Sequence, residues 1–253
     1  MGAPSLSVSL IDGKARVRSA TEPDPHTPGS RLPKVSVPIS IHTTAGIPSP
    51  SRTINLMRVI AGLYRSRPLL SPRGTLTRPT SDRLRETLFN ILQPRIHGAR
   101  FADLYAGTGA VGIEALSRGA EHVLFAERAE PALATLRGNL KSLGITIGYT
   151  LESRSAIAAL DKLIDRAIAT PAIPKLDLIF LDPPYEAAAD YTNTLALLGS
   201  QRAQTTLAPG ALVITEHSSK LPLPLDFGSL HQTRTLRQGD AALTFYIPTA
   251  PVN

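Results

Sequence analysis

None of the 253 residues is a cysteine. That one absence removes disulfides, zinc ribbons and thiol nucleophiles together. Tryptophan is missing too, and aromatic residues are sparse at 5%. No apolar run approaches the ~18–20 residues that a membrane-spanning helix needs. The N-terminus carries no continuous apolar core of signal-peptide length, so the cytoplasm is the expected location. No internal repeat is visible and no metal site is expected. The apolar share, 42%, is ordinary for a globular chain long enough for one large domain or two small ones.

Charge is present with one sign in excess, +7 in all. Residues 57–100 hold nine Arg (58, 65, 67, 73, 78, 83, 85, 95, 100) against Asp82 and Glu86, so nine minus two gives the whole excess. Nine guanidinium groups without one Lys read as a phosphate-facing surface, because the planar fork matches phosphate oxygens.

Residues 1–56 hold eight of the 22 prolines, many Ser and Thr, and no sustained periodicity. A disordered extension is expected there, with Met57-Arg58-Val59-Ile60-Ala61-Gly62 opening the folded chain. Short apolar runs broken by Gly62 and Pro68 suggest a small β-hairpin over 58–70. A helix can start at Thr80-Ser81-Asp82, with Thr80 or Ser81 as its N-cap and Leu84, Leu88, Ile91 and Leu92 as its apolar face. Strands are then expected at 101–105, 123–126, 145–151, 178–181 and 211–215, alternating with helices to about Ser117, over 131–143, 155–169 and near 187–198. A final hairpin, 230–236 with 242–247, turns at Gln238-Gly239-Asp240. This alternation implies a doubly wound parallel sheet with an antiparallel edge.

Two stretches carry chemistry. Leu178-Ile179-Phe180-Leu181 reads as a buried parallel strand, and it ends on Asp182-Pro183-Pro184-Tyr185. The two prolines can continue neither ladder nor helix. A carboxylate is thereby fixed at the carboxyl end of a strand, the edge at which open α/β sheets bind ligands. A carboxylate, a carbonyl and a flat ring suit a planar base with an exocyclic amine. The second stretch, Gly107-Thr108-Gly109-Ala110-Val111-Gly112, spells the dinucleotide loop, with Glu127 twenty residues past Gly107 to hold ribose hydroxyls. That pattern alone fits a nicotinamide cofactor or S-adenosylmethionine. Asp103, four residues before Gly107, would repel a pyrophosphate but could accept from a methionine amino group. A dehydrogenase has no evident use for Asp182-Pro183-Pro184-Tyr185. S-adenosylmethionine is the better match.

Three motifs in order, Arg78-Pro79-Thr80-x-x-Arg83-x-Arg85-Glu86-Thr87-Leu88-Phe89-Asn90, Asp103 to Gly119, and Asp182 to Tyr185, closely resemble the bacterial RsmD family from Met57 to about Ile247. The resemblance implies a seven-stranded Rossmann-like methyltransferase fold over 99–253, with a small basic hairpin-and-helix appendage at 57–98 that contacts RNA. It implies methylation of a guanine N2 in 16S rRNA within a 30S assembly intermediate, by a monomer using S-adenosylmethionine. On it, Asp103, Tyr105, Ala106, Gly107, Thr108 and Gly109 would cradle the methionine end and Glu127 the ribose. Asp182, Pro183, Pro184 and Tyr185 would receive the guanine. Methyltransferases often place Asp or Asn where this chain has Arg154 or Ser155, so adenine recognition would fall to a serine hydroxyl or the backbone. Arg78, Thr80, Arg83 and Glu86 are candidates for holding RNA near the pocket. His217, a lone histidine, is given no role. The motif at Asp182 also serves DNA adenine-N6 methyltransferases, but 57–253 has no spare target-recognition region. A non-catalytic assembly factor would not need Asp103, Glu127 and Asp182 together.

Overall fold

The computed structural model describes residues 7–11, 14–18, 57–71, 82–184 and 188–249. The chain divides into two units, Met1–Ser51 and Arg52–Asn253. In the first, β1 (Ser7–Ile11) pairs antiparallel with β2 (Lys14–Arg18), so two strands stand where no regular structure is expected. The sequence between them is Asp12-Gly13, a dipeptide that favours hairpin turns.

The second unit is built on one sheet of eight strands, in the order β5-β4-β3-β6-β7-β10-β9-β8. These are β3 (Arg100–Asp103), β4 (His122–Ala126), β5 (Tyr149–Glu152), β6 (Leu176–Leu181), β7 (Leu207–Ser218), β8 (Asp226–Phe227), β9 (Leu230–Gln238) and β10 (Ala241–Pro248). Strands β3 to β7 are parallel, and β10, β9 and β8 add the antiparallel edge. The order reverses between β3 and β6, the crevice where doubly wound folds bind ligands.

Three expectations change. The sheet gains an eighth strand, because Asp226 and Phe227 pair with His231 and Leu230. Strand β5 begins at Tyr149 rather than Ile145, since Ile145 donates its N–H to the Leu140 carbonyl and completes the end of the preceding helix at the left-handed Gly144. Strand β7 starts four residues early, at Leu207. Its register with β6 shifts between Leu176 and Leu178, and such irregularities accommodate a sequence like Pro209-Gly210.

Alternation along the strands sorts side chains onto two faces. Phe101, Val123, Phe125, Leu178, Phe180, Ile214 and Phe245 pack under α1 (Asp82–Ile96), α2 (Ala110–Ser117) and α3 (Glu130–Leu143). Ala102, Leu124, Ile179, Leu181 and Val213 meet α4 (Ala156–Ala169) and α5 (Ala188–Leu198) on the other face.

Residues 57–71 form a short hairpin: one antiparallel bridge, Arg58 to Pro68, is flanked by bonds from the Val59 N–H to the Arg67 carbonyl at 3.0 Å and from the Leu69 N–H to the Met57 carbonyl at 2.7 Å. Tertiary contacts hold it. The fully buried Glu114 carboxylate on α2 accepts from the Ile60 N–H at 2.7 Å, the Ala61 N–H at 3.0 Å and Arg118 Nε at 2.8 Å. At Gly62 a Cβ would stand 1.8 Å from the Ser117 carbonyl oxygen, so only glycine permits the approach. Arg85 corrects the reading of nine phosphate-facing arginines: it is fully buried, donating to the Arg58 carbonyl and to Asp82. Burial lowers its pKa. Arg58, Arg65, Arg67, Arg83 and Arg95 are exposed.

Candidate active site

The loop from Tyr105 to Gly109 leaves the carboxyl end of β3 and enters α2. It bends through Gly107 (φ 54°) and Gly109 (φ 80°), left-handed positions that favour glycine. A Cβ at Gly109 would lie 2.1 Å from Leu136 Cδ1, whereas at Gly107 it would meet nothing within 4 Å. The loop is therefore packed on one side and open on the other. Gly112 is needed for a different reason: a Cβ there would stand 2.2 Å from the Phe125 ring. Gly112→Ala is expected to lower stability by about 1–3 kcal/mol through overpacking. Thermal unfolding checks this, and an unchanged midpoint would contradict the packing account.

Three side chains hold the loop. Asp103 Oδ2 accepts from the Gly112 N–H at 2.9 Å. The N-cap of α2 is Gly109, which has no side chain to offer, so a carboxylate on the neighbouring strand does the capping. Asp103 is 2% exposed, and burial pushes its carboxyl up to about 7; the Glu127 charge adds to the rise and the Gly112 N–H opposes it. Glu127 Oε2 accepts from the Gly107 N–H at 2.9 Å, and its Oε1 from Arg128 and Ala129 at 2.8 and 2.7 Å. Asn139, in the apolar stripe of α3, donates to the Thr108 carbonyl at 2.9 Å.

Register brings the expected groups to one edge. Asp103 pairs with Phe125 on β4 and with Phe180 on β6. Two residues further along, Glu127, Tyr105 and Asp182 follow the ends of three adjacent strands. At strand spacing, Glu127 and Asp182 are about 10 Å apart. An open glycine bend, a buried carboxylate for a cation and a carboxylate with acceptor capacity remaining fit S-adenosylmethionine.

The turn after β6 has its own support. Tyr191, fully buried on α5, donates its hydroxyl to the Pro183 carbonyl at 3.1 Å, and its ring lies edge-on to His217, 6.4 Å between centroids. His217 Nδ1 meets the Ser218 carbonyl at 2.9 Å, an acceptor, so Nδ1 donates. In the neutral ring Nε2 then accepts from the Thr244 hydroxyl at 2.7 Å. Burial lowers the His217 pKa and keeps the ring neutral. Both nitrogens are thus spent on structure. Tyr105 reaches α5 too, through Thr194 Oγ1 at 2.8 Å. Tyr191→Phe is expected to lower kcat about tenfold at unchanged cofactor affinity, by loosening the Pro183 carbonyl; stopped-time methylation assays read this, and an unaltered kcat would remove Tyr191 from the site.

Other expected residues are placed less directly. Arg154 Nε pairs with Glu152 at 2.9 Å, and the Ser155 hydroxyl caps α4 by accepting from the Ala158 N–H at 3.3 Å. Arg83 and Glu86 are exposed on α1. Arg78, Thr80 and Tyr185 lie outside the described residues. Asn139 and Tyr191 are site residues that sequence reasoning missed. Asn139 had a signal, an amide set within the Leu136, Leu140 and Leu143 stripe. Tyr191 had none. Among the described residues, no cluster of three or more His, Asp or Glu could hold a metal, and no helix is long and apolar enough to cross a membrane.

The sheet order, the glycine bend and the carboxylates along one edge define a Rossmann-like methyltransferase fold. The family described as conserved hypothetical protein 95 matches residues 57–247, and the chain belongs to it, the RsmD family. It is similar to ribosomal RNA small subunit methyltransferase D of Haemophilus influenzae, 36% identical over 169 residues, 66% of this chain and 81% of that protein. The Escherichia coli K12 protein of the same name is 34% identical over 168 residues, 66% of this chain and 78% of that one. Among solved structures, yhhF from Escherichia coli superposes with a TM-score of 0.63 at 30% identity, covering 77% of this chain and 99% of that one.

Proposed function

We propose that this protein transfers a methyl group from S-adenosylmethionine to the exocyclic N2 of a guanine in 16S rRNA, in the cytoplasm, as a monomer acting on a 30S assembly intermediate. The observation that carries the reading is the Asp182-Pro183-Pro184 turn at the carboxyl end of β6, one strand away from the glycine loop after β3. When bound, the cofactor supplies an electrophilic methyl on a sulfonium.

The chain's own part is to hold the nucleophile. An aryl amine attacks poorly because its lone pair is delocalised into the ring. Asp182 and the Pro183 carbonyl each accept one N–H of the amine, which turns the nitrogen lone pair towards the methyl. The Pro183 carbonyl can do so while bonded to Tyr191, since it has two lone pairs. Tyr185 stacks on the base, and Asp182 receives the proton after transfer. Positioning and fixed charges of this kind supply most of such a rate gain. A base inside a helix cannot enter the turn, so the guanine is flipped or lies in a loop. Arg78, Thr80, Arg83 and Glu86 hold the RNA beside it. Asp103 and the backbone from Tyr105 to Gly109 take the methionine end, Glu127 the ribose, and Arg154 or Ser155 the adenine side.

The relatives' names support ribosomal RNA, and the exposed arginines of 58–95 support a phosphate backbone. The test uses tritiated S-adenosylmethionine with three substrates: small-subunit particles and naked 16S rRNA from cells lacking the enzyme, and duplex DNA. Label in N2-methylguanosine, stronger with particles, is expected. Label in N6-methyladenine of the DNA, or none in any substrate, would overturn the reading.

A further inference from the structure

Asn139 joins two parts of the molecule that the proposed reaction uses separately. It is fully buried on α3, 31 residues along the chain from Thr108 and 69 from Leu70. Its Nδ2 donates to the Thr108 carbonyl at 2.9 Å and to the Leu70 carbonyl at 3.2 Å, and its Oδ1 accepts from the Leu70 N–H at 2.6 Å. Both amide hydrogens are spent. Leu70 is clamped through donor and acceptor alike, as a neighbouring strand would clamp it. Leu70 also lies against the helix, its Cδ1 3.1 Å from where a Cβ of Gly138 would be. A second contact runs parallel to the first. The Thr108 hydroxyl meets Met57 Sδ at 3.7 Å, and the Met57 carbonyl accepts from the Leu69 N–H at 2.7 Å. The segment that Leu70 belongs to, 57–71, exposes Arg58, Arg65 and Arg67.

We propose that Asn139 is a positioning residue that locks the cofactor loop to the basic segment 57–71, so that cofactor and RNA each raise the other's affinity. This rests on the methyltransferase reading given above. The physical reason is the cost of leaving a buried amide unpaired. If Thr108 shifts without Leu70, or Leu70 without Thr108, the fully buried Asn139 amide loses a partner. Ordering the loop around a cofactor therefore orders Leu70, and RNA that holds 57–71 feeds back on Thr108. Such coupling is reciprocal and commonly amounts to 5–150-fold.

The test is calorimetric binding of S-adenosylhomocysteine to the full chain, with and without a stem-loop fragment of 16S rRNA that the wild type methylates. The wild type is expected to bind the product at least fivefold more tightly when RNA is present. In Asn139→Ala each ligand alone binds more weakly and that ratio falls to about one. Asn139→Ser, whose single hydroxyl can serve only one of the two carbonyls, gives an intermediate ratio and serves if the alanine variant does not fold. A wild-type ratio of one, or an undiminished ratio in the variants, overturns the proposal. Hydrogen exchange provides an arm without RNA. Product binding should slow exchange of the Leu70 N–H in the wild type and less so in Asn139→Ser; equal slowing in both overturns the coupling. If neither the fragment nor small-subunit particles are methylated, the methyltransferase reading fails, and the exchange arm still decides for Asn139.

Discussion

Asp182→Ala is expected to bind S-adenosylmethionine with wild-type affinity and to transfer methyl groups about a thousandfold more slowly. The size follows from what positioned polar groups at a reacting centre contribute, commonly 10²–10³ each, to which the lost orientation of the amine adds. The affinity is spared because the loop after β3 is held by Asp103, Glu127 and Asn139, none of which depends on the turn after β6. Equilibrium dialysis with the labelled cofactor reads the first half and single-turnover methylation the second. Full activity in this variant would sink the mechanism. Lost cofactor affinity would move Asp182 from the target side to the cofactor side.

The second large effect concerns pH. Asp103 in the folded chain is pushed up to about 7, against 3.8 ordinarily. Between these values the folded state holds a proton that the unfolded state has released. Stability therefore falls as pH rises from about 4 to about 7 and is flat above, a cost on the order of 4 kcal/mol. Asp103→Asn keeps an oxygen for the Gly112 N–H and cannot ionise, so its unfolding midpoint at pH 8 should exceed the wild type's and the wild-type slope should vanish. Binding should respond oppositely. Only an ionised Asp103 pairs with a methionine ammonium, so wild-type cofactor affinity rises about tenfold between pH 6 and pH 8 and levels off above that. Asp103→Asn binds weakly at both values. Equal wild-type affinities at pH 6 and pH 8 would remove the ammonium from Asp103.

What could be read in advance was whatever is written in short range. Leu178 to Leu181 is a strand because four apolar residues precede two prolines, and no distant partner is needed to see it. Gly107, Gly109 and Gly112 announce a bend and a close helix in one line of sequence. Arg85 misleads by the same rule: among nine arginines it looks like surface, yet the Arg58 carbonyl 27 residues away draws it inside. Tyr191 is legible only once α5 lies beneath His217, and Asn139 only once Leu70 and Thr108 meet. The short β8 needed its partner β9 to exist at all. Long-range satisfaction of buried polar groups decides these cases, and apart from an amide set in the apolar stripe of α3 local pattern carries no trace of it.

Glu114 also bears on how this molecule could be rebuilt. Its carboxylate is buried beneath 57–71 and satisfied by the backbone of that segment. Cutting the chain between the basic segment and the sheet would take from the buried Glu114 carboxylate the two backbone N–H groups it accepts from and leave it with Arg118 alone. The two parts are therefore not exchangeable cassettes. A chimera given another relative's segment in place of 57–98 must import the matching α2 with it, and a fragment that begins at the first strand of the large sheet should be recovered as insoluble protein.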